Sequence, residues 1–159
     1  MVKRVVILNH PALKTVCTPV NVIDGTIGSE AEEIVRDMID TFISLKDRAV
    51  GLASNQLGYL LRIIIVAEPF SGKLEVMINP EIVSYSKETN VEVEGCLSYP
   101  MLSRKVTRPS ALTLKAWVLD DVHTMKFVEI EKSVMGYEAR ICFHEMDHLN
   151  GSCILSKKR

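Results

Sequence analysis

A chain of 159 residues, 47% of them apolar and 25% charged, is long enough for one sizeable core. Its formal net charge of −1 excludes a broad electrostatic footprint for nucleic acid or anionic lipid. Its longest apolar stretches, such as Ile63 to Ala67, are far too short to span a bilayer, and one domain over residues 1–159 is expected.

The opening carries Lys3 and Arg4, then Val5 to Leu8, interrupted at once by Asn9-His10-Pro11. A secretory signal needs a longer apolar region and a small-residue cleavage site. The expectation is an intracellular protein, and the lack of a presequence favours a bacterial cytoplasmic origin over an organellar one. Cys17, Cys96, Cys142 and Cys153 then read as thiols rather than disulfides. Three of them look structural, and Cys96 is the exception.

The first clear element is a helix from Ser29 to Lys46. Ser29 and Glu32 fit a capping box, and Ala31, Ile34, Val35, Met38, Ile39, Phe42 and Leu45 recur at helical spacing. The small, apolar segment Gly51 to Gly58 follows. It reads either as a helix-to-strand connection or as a loop that lines a cleft and offers the Gln56 amide to a developing oxyanion.

Arg62 to Ala67 reads as a buried strand. Glu75 to Ile78 and Ile82 to Tyr85 flank Asn79-Pro80, a turn or strand break. Val91 and Val93 alternate with Glu92 and Glu94, as in a half-buried strand. Leu112, Leu114, Ala116 and Val118 alternate likewise, and Asp120-Asp121 turns the chain into a second run, Val122 to Ile130, predicting a hairpin.

The final helix is predicted from Ser133 to Asn150, with Gly136 a weak point near its start and Gly151 at a left-handed C-cap. The basic end Lys157-Lys158-Arg159 reads as a solvated terminus. The order of elements gives an α+β fold: a mainly antiparallel β-sheet packed around the C-terminal helix, with an N-terminal helix.

The C-terminal helix carries the chemistry. Residues 144 to 148 read His-Glu-Met-Asp-His, an H-E-x-x-H pattern. On a helix His144 and His148 lie one turn apart on one face and can grip one divalent metal. A hydrolytic centre needs a third ligand and one open position. Glu145 points away from the line joining the histidines and suits acid/base work. Asp147 faces elsewhere, as a partner behind a ligand or in a surface ion pair. Cys96 ends the alternating strand after Gly95, which permits close approach, so its thiolate is a plausible third ligand; the competing reading is a buried free cysteine.

Three segments in this order resemble the peptide deformylase family. Ala49-Val50-Gly51-Leu52-Ala53-Ser54-Asn55-Gln56 follows the pattern G-x-G-h-A-A-x-Q, where h is apolar. Glu94 to Ser98 matches E-G-C-L-S fully, and Phe143 to Gly151 follows Q-H-E-x-D-H-L-x-G. The likeness extends to Asn9-His10-Pro11-Ala12-Leu13 and Cys17-Thr18-Pro19-Val20. It implies removal of the formyl group from the N-terminal methionine of newly made polypeptides, with release of formate. By the same resemblance Cys96, His144 and His148 hold the metal, with Fe²⁺ expected and Zn²⁺, Ni²⁺ or Co²⁺ able to replace it. Gln56 and the Leu97 backbone N–H stabilise the oxyanion, and Glu145 moves the proton. Gly51, Val50, Ile141 and Gly95 form the substrate site, the backbone at Gly51 pairing with the peptide like an added strand. Arg140 and Glu92 are expected near the rim, paired with each other or, favoured slightly, solvated. The expected partners are formylmethionyl peptides and nascent chains, met at the ribosome, with no nucleic acid and no membrane.

Three positions depart from the family pattern. Ala49 stands where it has a glycine, Ser54 where it has alanine, and Phe143 where it has glutamine. If Ala49 needed a positive φ, the loop would be strained. Ala49 and Phe143 motivate a second hypothesis, a family member that binds metal and peptide N-termini with little or no catalysis. A third is a metallopeptidase, which shares H-E-x-x-H; the full Cys96 motif argues against it. The extra terminal helix of some bacterial members is expected to be absent.

Overall fold

The computed structural model describes residues 1–45 and 47–156. Two short strands, β1 (Val22–Ile23) and β2 (Thr26–Ile27), lead into helix α1 (Ser29–Ser44). Then come β3 (Gly51–Ala53), a 3₁₀ turn at Ser54–Leu57, β4 (Ile63–Ala67) and β5 (Leu74–Tyr85). A two-stranded ribbon of β6 (Thr89–Gly95) and β7 (Ser103–Pro109) follows. The long strands β8 (Ala111–Asp121) and β9 (Lys126–Met135) precede helix α2 (Gly136–Leu149). The main sheet has the order β3-β4-β5-β8-β9, antiparallel throughout. The expected α+β arrangement is therefore present, with α2 against the sheet.

The run Ile63-Ile64-Ile65-Val66 is apolar on both faces because both faces are covered. Ile63 and Ile65 pack with Ile34, Met38 and Phe42 of α1. Ile64 and Val66 pack with Ile141, Cys142, Met146 and Leu149 of α2. Each fully buried side chain of this kind contributes on the order of 1.5–3 kcal/mol. The sheet is thus the slab that fixes α2 relative to β3, and β3 forms one of its edges.

Several boundaries differ from expectation. The capping box does not form: Gly28 is the N-cap of α1, its carbonyl accepting the Glu32 N–H at 3.0 Å, and Ser29 is already helical. The helix ends at Ser44, with Leu45 as its cap, and Lys46 lies outside the described residues. Asn79-Pro80 does not break the strand. Asn79 takes φ +51° at a register shift inside β5, and its side chain holds both Val20 N–H and Val20 C=O at 2.8 Å. Asparagine tolerates the left-handed region, so the strand bulges and continues.

The hairpin loop is one turn later than expected. Val122 is outside the strands because Asp121 accepts from His123 N–H and the Thr124 hydroxyl, and β9 extends to Met135. Ser133, Val134 and Met135 accordingly belong to β9, not to the final helix. Gly136, at φ +60°, makes the corner that a residue with a side chain would resist. Gly151 takes φ +69° just past α2, as expected. The basic end, residues 157–159, lies outside the described residues.

Strand β6 inverts the expected pattern. Val91 and Val93 are exposed, 56% and 61%, while Glu94 is buried. The buried Glu94 pairs there with Arg108 and with Arg140 of α2.

Candidate active site

Three stretches meet in one cavity of about 780 Å³: β3 with its 3₁₀ turn, the end of β6, and the helix α2. Val50, Gly51, Gln56, Gly95, Cys96, Leu97, Ile141, His144 and Glu145 all line it. His148 lies fully buried behind them. Nothing in sequence distance brings Gln56, Cys96 and His148 together; the sheet does.

The centre of the cluster is sulfur and nitrogen. One ligand atom each from Cys96, His144 and His148 lie within 4.8 Å of one another. Cys96 Sγ is 3.2 Å from His148 Nε2, and the two rings stand edge to face at 5.1 Å. His144 Nδ1 is bonded to Glu94 Oε1 at 2.8 Å, which leaves Nε2 for the cluster. Behind the site Asn55 Nδ2 donates to Ala12 C=O at 3.2 Å and to His148 C=O at 2.5 Å, tying the end of α2 to the turn.

Gln56 is oriented by its own turn. Its Oε1 accepts the Ala53 N–H at 2.9 Å, so Nε2 faces Cys96 Sγ at 3.6 Å and Ser98 Oγ at 3.2 Å. Gly51 is set by two neighbours. Val50 C=O accepts the Ala67 N–H, so by alternation the N–H and C=O of Gly51 point away from β4, on the open edge. A Cβ there would stand 2.3 Å from Glu145 Oε1, so only glycine lets the carboxylate lie on the strand.

Glu145 is buried, and its Oε2 has no hydrogen-bond partner among the described residues. Burial pushes its carboxyl up to about 7, against the pull of His144 and Arg108. Glu94 goes the other way. Burial would raise it, but Arg108, held by Nε at 2.6 Å and Nη2 at 2.8 Å, and His144 bring it down to about 2. Burial opposes the charge on His144, yet the hydrogen bonds it donates to Cys96 and Glu94 carry it up to about 10. Burial together with the charge of His144 takes His148 down to about 3, so its imidazole is neutral and its electron pair is free for a cation.

Some expectations fail here. Arg140 is neither solvated nor paired with Glu92. It is buried and donates to Glu94 Oε2 at 2.5 Å, to Val106 C=O at 3.0 Å and to Asn90. Glu92 lines the cavity at an exposed position. Asp147 accepts from Arg108 Nη1 at 2.9 Å, an ion pair behind the centre. Sequence reasoning missed Arg108 altogether. In the run Arg104-Lys105-Val106-Thr107-Arg108 it looks like one more solvated cation, and only the burial of Glu94 reveals its task. The departures are absorbed. Ala49 is not among the described non-glycine residues with positive φ, Ser54 donates to Leu61 C=O, and Phe143 packs in the apolar cluster under α2.

The chain matches the family model described as Polypeptide deformylase over residues 2–159. It belongs to that family. A peptide deformylase of Dictyoglomus thermophilum is 37% identical over 157 residues, covering 99% of this chain and 93% of that protein. The K1U-bound class I type b peptide deformylase of Acinetobacter baumannii superposes with a TM-score of 0.85 at 32% identity, covering 99% of each chain. A Met-Ala-Ser-bound structure of the A. baumannii enzyme gives 0.83 at 30% identity, again over 99% of each chain.

Deformylases are metalloenzymes, and the donors here fit a metal. One thiol and two imidazoles are the mixed donor set that borderline divalent ions favour. Glu94 fixes His144 from behind, as the outer partner of a metal-bound histidine does. The described residues contain no helix long and apolar enough to cross a membrane.

Proposed function

We propose that this protein removes the N-formyl group from the amino-terminal methionine of newly made polypeptides, releasing formate and a free amine. The observation that carries the reading is Glu145. It is a buried carboxyl with one oxygen unpartnered among the described residues, lying against Gly51 beside a thiol–imidazole cluster.

Cys96, His144 and His148 would hold one divalent ion, with Fe²⁺ the proposed native metal and Zn²⁺, Ni²⁺ or Co²⁺ as substitutes. A divalent ion in such a site supplies Lewis acidity to water and carbonyl. The chain's own residues do the rest. Glu145 Oε2 takes a proton from the attacking water and returns it to the leaving nitrogen, a task suited to a carboxyl shifted toward neutral pH. Gln56 Nε2 and the Leu97 N–H donate to the formyl oxygen as negative charge builds there. The N–H and C=O of Gly51 pair with the peptide as with an added strand. Val50, Gly95 and Ile141 contact the methionine and its neighbours. Glu94, kept ionised by Arg108 and paired also with Arg140, orients His144.

The Met-Ala-Ser complex of a relative supports a methionyl peptide as the ligand class. The relatives' bacterial sources support a bacterial cytoplasmic setting, with nascent chains on the ribosome as the natural substrate.

The test is formate release from formyl-Met-Ala-Ser by anaerobically metal-loaded protein, with Glu145→Gln as control. Turnover that vanishes in the variant is expected. A fully metal-loaded wild type that releases no formate would refute the assignment.

A further inference from the structure

A second groove, of about 870 Å³, adjoins the catalytic cavity. Arg48, Leu97 and Pro100 line both, and the groove lies between residues 2–7 and the end of α1. Its walls are apolar, with Val2, Val5, Ile7 and Leu45. Its charged groups are all basic: Lys3, Arg4 and Arg48 line it together with His10, and no acidic residue among those described does. Lys3 is tied to Asp37 at 3.2 Å. Arg4 and Arg48 are exposed and make no ion pair with a described residue.

Along the open edge of β3 a bound chain runs toward the strand's exposed end. Leu52 and Ala53 are fully buried and Gly51 carries Glu145, whereas Val50 and Arg48 are exposed. A peptide whose formylated end lies at Gln56 and Glu145 therefore leaves over Val50 and Arg48. At about 3.3 Å per residue it passes Arg48 roughly three residues on, and its next few residues reach the second groove.

We propose that this groove receives the fourth to seventh residues of the substrate polypeptide and selects for acidic side chains there. The inference rests on the deformylase reading. A half-apolar groove on a chain of net charge −1 suits a mixed acidic and apolar peptide better than a phosphate backbone.

The experiment compares kcat/KM for formyl-Met-Ala-Ser with that for formyl-Met octapeptides bearing Asp or Lys at positions five and six. The Asp octapeptide is expected to exceed the Lys octapeptide by about two- to five-fold at low salt, with the gap closing in ~0.5 M salt. Arg4→Glu abolishes or reverses the gap and leaves the tripeptide unchanged. Equal rates for both octapeptides in the wild type overturn the proposal. So does an Arg4→Glu effect as large on the tripeptide as on the octapeptides, or competition by single-stranded RNA with no charge preference among peptides. If the tripeptide is not cleaved at all, the deformylase reading has failed. Calorimetric titration of the two octapeptides then still decides the groove.

Discussion

Replacing Gly51 with alanine puts a methyl carbon 2.3 Å from Glu145 Oε1 and 2.8 Å from its Cδ and Cγ. Relaxed contacts between such atoms are roughly 3.5 Å or longer. Glu145 has little room to yield, because it is only 4% exposed and α2 is clamped to the sheet by Ile141, Cys142 and Met146. The carboxylate must leave its place. General acid–base catalysis contributes typically 10²–10⁴-fold, or about 3–5 kcal/mol of barrier. Gly51→Ala is therefore expected to lower kcat for formyl-Met-Ala-Ser by about 10²-fold or more. The assay is formate release at saturating substrate, with metal content measured on the same sample. Because the clash is with the carboxylate, Gly51→Ala should add little to Glu145→Asp, whose shorter side chain withdraws from the strand. A Gly51→Ala enzyme within three-fold of wild type refutes the reasoning, as does full additivity of the two changes.

Glu94→Gln leaves the buried Arg108 and Arg140 without their shared anion and should cost on the order of 3–5 kcal/mol in urea unfolding; a loss below about 1 kcal/mol refutes the network's role. Because the folded pKa of Glu94 lies near 2, below its ordinary 4.5, its stabilisation is complete above pH 4.5 and is lost as pH falls toward 2; a flat acid limb in metal-free protein contradicts this. Chelation should open Cys96 to iodoacetamide while the buried Cys17, Cys142 and Cys153 stay protected, and mass spectrometry of the native protein should find one adduct, on Cys96. Burial pushes the Cys142 thiol up to about 12, so alkylation there before unfolding counts against the packing. Asn79→Ala removes two hydrogen bonds to Val20 and puts alanine at φ +51°, an expected loss of about 2–4 kcal/mol; a loss under 0.5 kcal/mol removes the bulge as a fixed point.

Much of the centre was legible because its chemistry is local. The spacing of His144 and His148, the place of Glu145 between them and the Gly95-Cys96 pair are patterns of a few residues. The α1 stripe and the β4 run were legible for the same reason, since periodicity survives without a partner. What sequence could not show was which way β6 faces. Alternation of valine and glutamate assigns the valines inward by default, and here a buried guanidinium pair inverts the choice. The task of Arg140 was hidden by the same fact, because its partners Asn90 and Glu94 lie far away in the chain. The start of α2 was misplaced because Ser133 and Val134 suit a helix start as well as a strand end, and the pairing of Ala111 with Met135 decides it.

The Asn55 amide, bridging the carbonyls of Ala12 and His148, has a consequence for how the molecule comes into being. Its three anchor points are spaced along nearly the whole polypeptide, so this knot is tied only when synthesis has passed residue 148. A chain that stops short of residue 148 cannot close it. Contacts so distant in sequence should form among the last steps of folding.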